Sequence, residues 1–178
     1  MGTAKAFKPE KLVIGVLTTR PERREELLSL LSARFGPADL VSTPMAFDGT
    51  SYYVPEMGDG IRRFFVSLRD PVDPSTLADI KCDTNALEDR FREDGNRKVN
   101  LDPGLLSLAR LTLATTKNRA HRIPLRRGIF AELTLLYQRG AFQPLPWTYP
   151  DYRSKEYHRL LSEIRAAFKE SLQAPSGA

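Results

Sequence analysis

LVIGVLTTRPERREELLSLLSARFGP, residues 12–37, decides how the rest of the chain is read. Its first seven residues are a short, β-branched apolar run, which suits a buried strand better than a helix of so few residues. Thr19 to Glu22 then spells a capping box with Pro21 in the first turn. Leu27, Leu28, Leu31 and Phe35 recur on one side of a helix, and Gly36-Pro37 stops it. Residues 39–47 form a second strand, with Pro44 making it an edge or a bulged one. The chain therefore opens β-α-β.

Outward from that unit the pattern repeats once. After a polar-aromatic loop over residues 48–60, RFFVSL (63–68) is a third strand. Asp73 caps a second helix with Pro74 at its start, and Leu77, Ile80, Thr84, Leu87 and Phe91 mark its buried stripe. Asp94-Gly95 is its expected exit, and KVNL (98–101) a fourth strand, which Asp102-Pro103-Gly104 ends as a turn. Beyond Gly104 the period shortens. Residues 111–116, 121–125, 129–137 and 141–145 read as a β-meander with turns at Asn118, Gly128 and Gly140. Three prolines make residues 144–152 irregular, and Tyr157, Leu160, Leu161, Ile164 and Phe168 define a last helix over 154–172. The expected fold class is α+β: a single domain over residues 12–172, two β-α-β-type units, an antiparallel β-meander and a C-terminal helix. Residues 1–11 read as a flexible leader and 173–178 as a flexible tail.

Composition narrows the function classes. Of 178 residues, 41% are hydrophobic and 28% charged, which is globular composition rather than disorder. No apolar run approaches the roughly 20 residues that span a bilayer, so no membrane partner is expected. With Cys82 alone there is no internal disulfide and no cysteine-based zinc site. The start lacks an apolar signal segment, which makes a cytoplasmic location the expectation. No P-loop, GxGxxG, HExxH or nucleophile elbow occurs, so the sequence names no cofactor and no metal.

The charge is uneven. Formal net charge is +5, yet residues 103–131 carry Arg110, Lys117, Arg119, Arg122, Arg126 and Arg127 with no acidic residue. A one-sign block attracts phosphates unless acids from elsewhere fold against it. Lys117, Arg119, Arg122 and Asn100 are accordingly candidate ligand-binding residues. Two loops concentrate aromatics with acids: Tyr52, Tyr53 and Glu56 in one, Trp147, Tyr149, Asp151 and Tyr152 in the other. Of these, Tyr52, Tyr53, Trp147 and Tyr149 join the binding set as stacking surfaces. His121 is the side chain near the basic block that titrates around neutrality, and Glu132 interrupts an apolar strand face and needs a cation. With Asp102 they are the candidate catalytic residues. On the second helix Lys81, Asn85 and Glu88 form a polar stripe, a solvated flank or a row facing a sheet edge.

KVNLDPG, LTLATTKNRAHRI, GIFAELTLLY and PLPWTYPDY, with IKCDTNALE and FDGTSYYVPEMG upstream, resemble the bacterial family called domain of unknown function 4416. The resemblance implies a bacterial, cytosolic, single-domain protein and transfers no activity or catalytic residue. Three functions stay open on the residues. The chain binds a phosphorylated partner, a nucleotide or RNA, through the 103–131 segment. It is a small-molecule enzyme using His121, Glu132 and Asp102 for acid–base chemistry. Or it is a structural or adaptor protein whose polar residues are turn formers and ion pairs. Oligomeric state is open in all three.

Overall fold

The computed structural model describes residues 2–48 and 50–173. In chain order its elements are β1 (Lys11–Thr18), α1 (Arg24–Phe35), β2 (Ala38–Val41), β3 (Met45–Ala46), α2 (Val54–Met57), β4 (Arg62–Leu68), α3 (Leu77–Asp89), β5 (Arg92–Glu93), β6 (Asn96–Arg97), β7 (Val99–Leu106), β8 (Arg110–Thr115), β9 (Ile123–Pro124), β10 (Phe130–Gln138), β11 (Ala141–Pro144) and α4 (Lys155–Ser171).

The main sheet runs β11-β10-β8-β7-β1-β4-β2, with β3 on β4 and β9 on β10, and every pairing is antiparallel. Because β4 lies between β1 and β2, those two run parallel without touching; β4 and β7 stand in the same relation across β1. Both β-α-β units are thus split, and the order β7-β1-β4-β2 is that of a ferredoxin-like core. The segment β7-β8-β10-β11 extends it as an antiparallel meander. The fold is a single-domain α+β architecture, as the period changes along the chain imply.

Both faces of the sheet are covered, which explains the unbroken apolar run that opens the fold. Leu12, Ile14 and Val16 point toward Leu27 and Leu31 of α1 and Leu77, Ala78 and Ile80 of α3. On the opposite face Val13, Phe65, Leu111 and Leu135 pack with Tyr157, Leu161, Ile164 and Phe168 of α4. All eight residues of β1 are buried.

Several local expectations change. Thr19 does not cap α1; a 3-10 turn at Pro21–Arg23 precedes the helix, and the Thr19 hydroxyl donates instead to the Met57 carbonyl at 3.1 Å. Pro44 splits the expected second strand into β2 and β3. Asp94 (φ 49°) and Gly95 (φ 78°) are the turn of the β5–β6 hairpin, not a helix exit. The Asp102-Pro103-Gly104 turn is absent, since β7 runs straight through it. The expected 121–125 strand shrinks to β9, on the side of β10 away from β8. At the start, Lys11 already belongs to β1 and Glu10 bridges to Val72; at the end, residues 174–178 of the expected tail lie outside the described residues.

Candidate functional site

The site opens where the sheet comes apart. β7 pairs with β8 only along Gly104↔Leu113, Leu105↔Thr112 and Leu106↔Leu111. Gly104 marks the closest approach: a Cβ there would sit 2.6 Å from Leu113 Cδ2 and 3.0 Å from the Thr112 carbonyl oxygen. Beyond it the first half of β7 keeps only β1 as neighbour, and Ala114 and Thr115 of β8 pair only with β10. Pro103, with no N–H to offer a ladder, is tolerated where the strand has become an edge. A cavity of about 880 Å³ occupies the gap.

An exposed strand edge leaves backbone groups without partners. Here α3 supplies them. The Leu101 amide donates to Glu88 Oε1 at 2.8 Å, and Lys81 Nζ donates to the Leu101 carbonyl at 2.6 Å. Both side chains are buried, and Lys81 Nζ lies 3.5 Å from Glu88 Oε1. Burial pushes the Glu88 carboxyl above its ordinary range, against the pull of Lys81. The Lys81–Glu88 row therefore faces the sheet edge and takes the place of a missing strand.

On the other face, the cavity floor is built around Arg63. Its guanidinium, 2% exposed, crosses over Gly15 of β1 to reach β7, donating through Nη1 to Asp102 Oδ2 at 3.1 Å. Through Nη2 it donates to Asp151 Oδ2 at 3.2 Å. Gly15 makes the crossing possible, because a Cβ there would lie 2.6 Å from Arg63 Nη1 and 3.0 Å from the Tyr152 hydroxyl. Asn100 Nδ2 donates to Asp102 Oδ1 at 2.9 Å, and Arg97 Nη1 donates to Asn100 Oδ1 at 3.2 Å. Arg97 also grips both oxygens of Glu56 at 2.7 Å, tying the 48–60 loop to the β5–β6 hairpin. Burial raises the Asp151 carboxyl above its usual range, with Arg63 opposing. The Tyr152 hydroxyl is also raised by burial, and it has no hydrogen-bond partner among the described residues.

A β-bulge positions the loop that carries Asp151. Register between β10 and β8 shifts between Leu133 and Leu135. The carbonyls at the bulge accept from the next loop instead: Trp147 Nε1 donates to Leu133 O at 2.8 Å and Thr148 Oγ1 to Thr134 O at 2.5 Å. Arg153 adds bonds to the Leu145, Pro146 and Thr148 carbonyls. The proline-rich loop is thereby pinned, and Tyr149, Asp151 and Tyr152 face the cavity.

The remaining wall holds the basic segment. Glu132, 1% exposed, accepts from Arg122 Nε at 2.8 Å and lies 3.1 Å from His121 Nε2. Arg122 also donates to the Lys117 carbonyl at 2.6 Å and the Tyr149 hydroxyl at 2.5 Å. His121 stacks on Trp147 with ring centroids 5.0 Å apart. Four of the six basic residues of 103–131 meet carboxylates: Arg110 with Glu10, Arg122 with Glu132, Arg126 and Arg127 with Asp79. Among the described residues Lys117 and Arg119 have no carboxylate partner, and both line the cavity. Lys117 Nζ instead donates to the Tyr52 hydroxyl at 2.7 Å.

The sequence-named residues thus fall into two groups. His121 and Glu132 do meet, whereas Asp102 bonds Arg63 and Asn100. Lys117, Arg119, Arg122, Asn100, Tyr52, Tyr53 and Tyr149 line the cavity, whereas Trp147 and the His121 it stacks on are not among the lining residues. Arg63 and Arg97 were not singled out by the sequence. For Arg63 the one signal was indirect: Gly15, a lone glycine inside an apolar strand, marks a close approach by something else; Arg97 had no such signal. No group of three or more His, Cys, Asp or Glu side chains among the described residues is arranged to hold a metal ion. Among the same residues no helix is long and apolar enough to cross a membrane.

These features define a class: a ferredoxin-like core whose extended sheet splits to hold a polar, aromatic-walled cavity. The chain belongs to the family described as Domain of unknown function (DUF4416), whose model matches residues 8–168. No curated protein and no solved structure matches it.

Proposed function

We propose that this protein binds a small anionic molecule, a phosphorylated metabolite or mononucleotide, in the cavity between β7 and β8. One observation carries the reading. Of the acid-free basic segment, Lys117 and Arg119 alone lack a carboxylate partner among the described residues, and both line the same cavity. The cavity's size lies within the range of roughly 300–1,000 Å³ that small-molecule sites occupy. Tyr52, Tyr53 and Tyr149 supply flat apolar surface beside the cations, as a sugar or base requires.

The charge balance favours a small ligand over a nucleic-acid strand. Seven cationic and six carboxylate side chains line the cavity, so it has no one-sign track for a run of phosphates. Calorimetric titration of the whole chain with inorganic pyrophosphate and with AMP, at low and high salt, tests the reading. Saturable binding at one site is expected, weakened by salt and lost in a Lys117→Ala/Arg119→Ala double variant that still melts cooperatively. Unchanged affinity in that variant, or an RNA oligomer binding far more tightly than the mononucleotide, would overturn it.

A further inference from the structure

We infer that the floor of the cavity is a subsite for vicinal hydroxyls, so that the ligand is a phosphorylated polyol, with its anionic group held by Lys117 and Arg119. The inference rests on the anion-binding reading above and adds the second half of the ligand. Asp102 and Asp151 accept from the two terminal nitrogens of one guanidinium, and both side chains line the cavity and are partly exposed, at 24% and 19%. Each carboxylate oxygen has a lone pair beyond the one its arginine or amide partner uses. Two acceptors in that arrangement match two adjacent O–H donors. Arg63 brings one positive charge against two carboxylates, so the floor attracts donors.

The Tyr152 hydroxyl separates hydroxyls from ammonium groups. It lies over Gly15 beside Arg63, 2% exposed and hydrogen-bonded to nothing among the described residues. A buried O–H without a partner costs free energy that an arriving acceptor recovers. An ammonium group has no acceptor to offer it; a polyol hydroxyl donates to a carboxylate and accepts from the phenol at once. Vicinal hydroxyls joined to a phosphate occur in free sugar phosphates and in the ribose phosphate of nucleotides, and the floor chemistry is the same for both.

The test is a set of titrations on the whole chain: inorganic phosphate, ribose 5-phosphate against 2-deoxyribose 5-phosphate, and AMP against 2′,3′-dideoxy-AMP. The hydroxylated member of at least one pair should bind about tenfold more tightly or better, the usual effect of losing hydrogen bonds to a charged group. Which pair discriminates identifies the source, free sugar or nucleotide. Asp102→Asn should reduce that ratio toward one, and Tyr152→Phe, which keeps the packed ring, gives the same readout if Asp102→Asn fails to fold. Equal affinities within both pairs, with phosphate binding intact, overturn the hydroxyl subsite and leave the anion reading standing. Absence of binding by phosphate and all four esters overturns both.

Discussion

Gly15 and Arg63 form a pair in which the smaller residue decides what the larger one can do. A methyl group on Gly15 would occupy the space through which the guanidinium passes. The far end of an arginine normally yields at little cost, but this one is buried and held by Asp102 and Asp151, with the Tyr152 hydroxyl closing the other side. Gly15→Ala should therefore destabilise the fold by about 1–3 kcal/mol, the range for overpacking a closed site. Urea denaturation measures it, and a variant as stable as the parent would show that Arg63 is free to move. The reason this was hard to read in advance is distance along the chain. Gly15 is visible as a break in an apolar strand, but the side chain it makes room for lies in another strand, and only the β1–β4 pairing brings them together. The expected Asp102-Pro103-Gly104 turn fails for a related reason: Asp-Pro-Gly is strong turn chemistry, and it stays extended here because β1 pairs through it where β8 has diverged.

At the scale of elements, the β5–β6 hairpin does more than connect α3 to β7. Its Asp94-Gly95 turn places both central residues at positive φ, the geometry of a two-residue type I′ hairpin. From the sequence the dipeptide reads as a helix exit, because strands of two residues leave no periodicity to identify. What the hairpin delivers is Arg97, which reaches Glu56, Glu88 and Asn100 together. Only the fork of a guanidinium spans such a set; a lysine is a single point charge. Arg97→Lys should release the α2 loop from the hairpin. Hydrogen exchange at the amides of Val54, Glu56 and Met57 should then quicken several-fold, while β1 and β4 keep their protection. Because the Arg97–Glu56 pair is partly exposed, the stability loss should stay near 1 kcal/mol. Unchanged exchange in α2 would mean that Met57 alone, buried beside Leu17 and Ile61, anchors the loop.

For the molecule as a whole, the sheet must be covered on both faces, and the two covers differ in origin. The α1 and α3 face belongs to the split β-α-β units, whose helices were legible from apolar spacing, α1 also from its Gly36-Pro37 stop. The opposite face depends on α4, which was equally legible as a helix, with Ser154 accepting from the Tyr157 amide at its start. Its partner was not legible, since strand order is set by long-range pairing that no local pattern encodes. Once the order is known, α4 has one place to go: over Phe65, Val13, Leu106, Leu111 and Leu135, where β4, β1, β7, β8 and β10 present a continuous apolar surface. Burying Tyr157, Leu161, Ile164 and Phe168 contributes about 6–12 kcal/mol at roughly 1.5–3 kcal/mol per large side chain. That matches the whole net stability of a typical domain, about 5–15 kcal/mol. A chain ending after Arg153 should consequently lose its cooperative transition, expose apolar surface that binds ANS, and lose near-ultraviolet circular dichroism. The cavity should fail with it, because Tyr152 packs edge-on against both Phe65 and Tyr157, and Asp151 and Tyr149 belong to the same loop. A truncated chain that still unfolded in one sharp step would place the stabilising core on the α1–α3 face alone. Helix α4 would then serve mainly to hold the proline-rich loop against the ligand site.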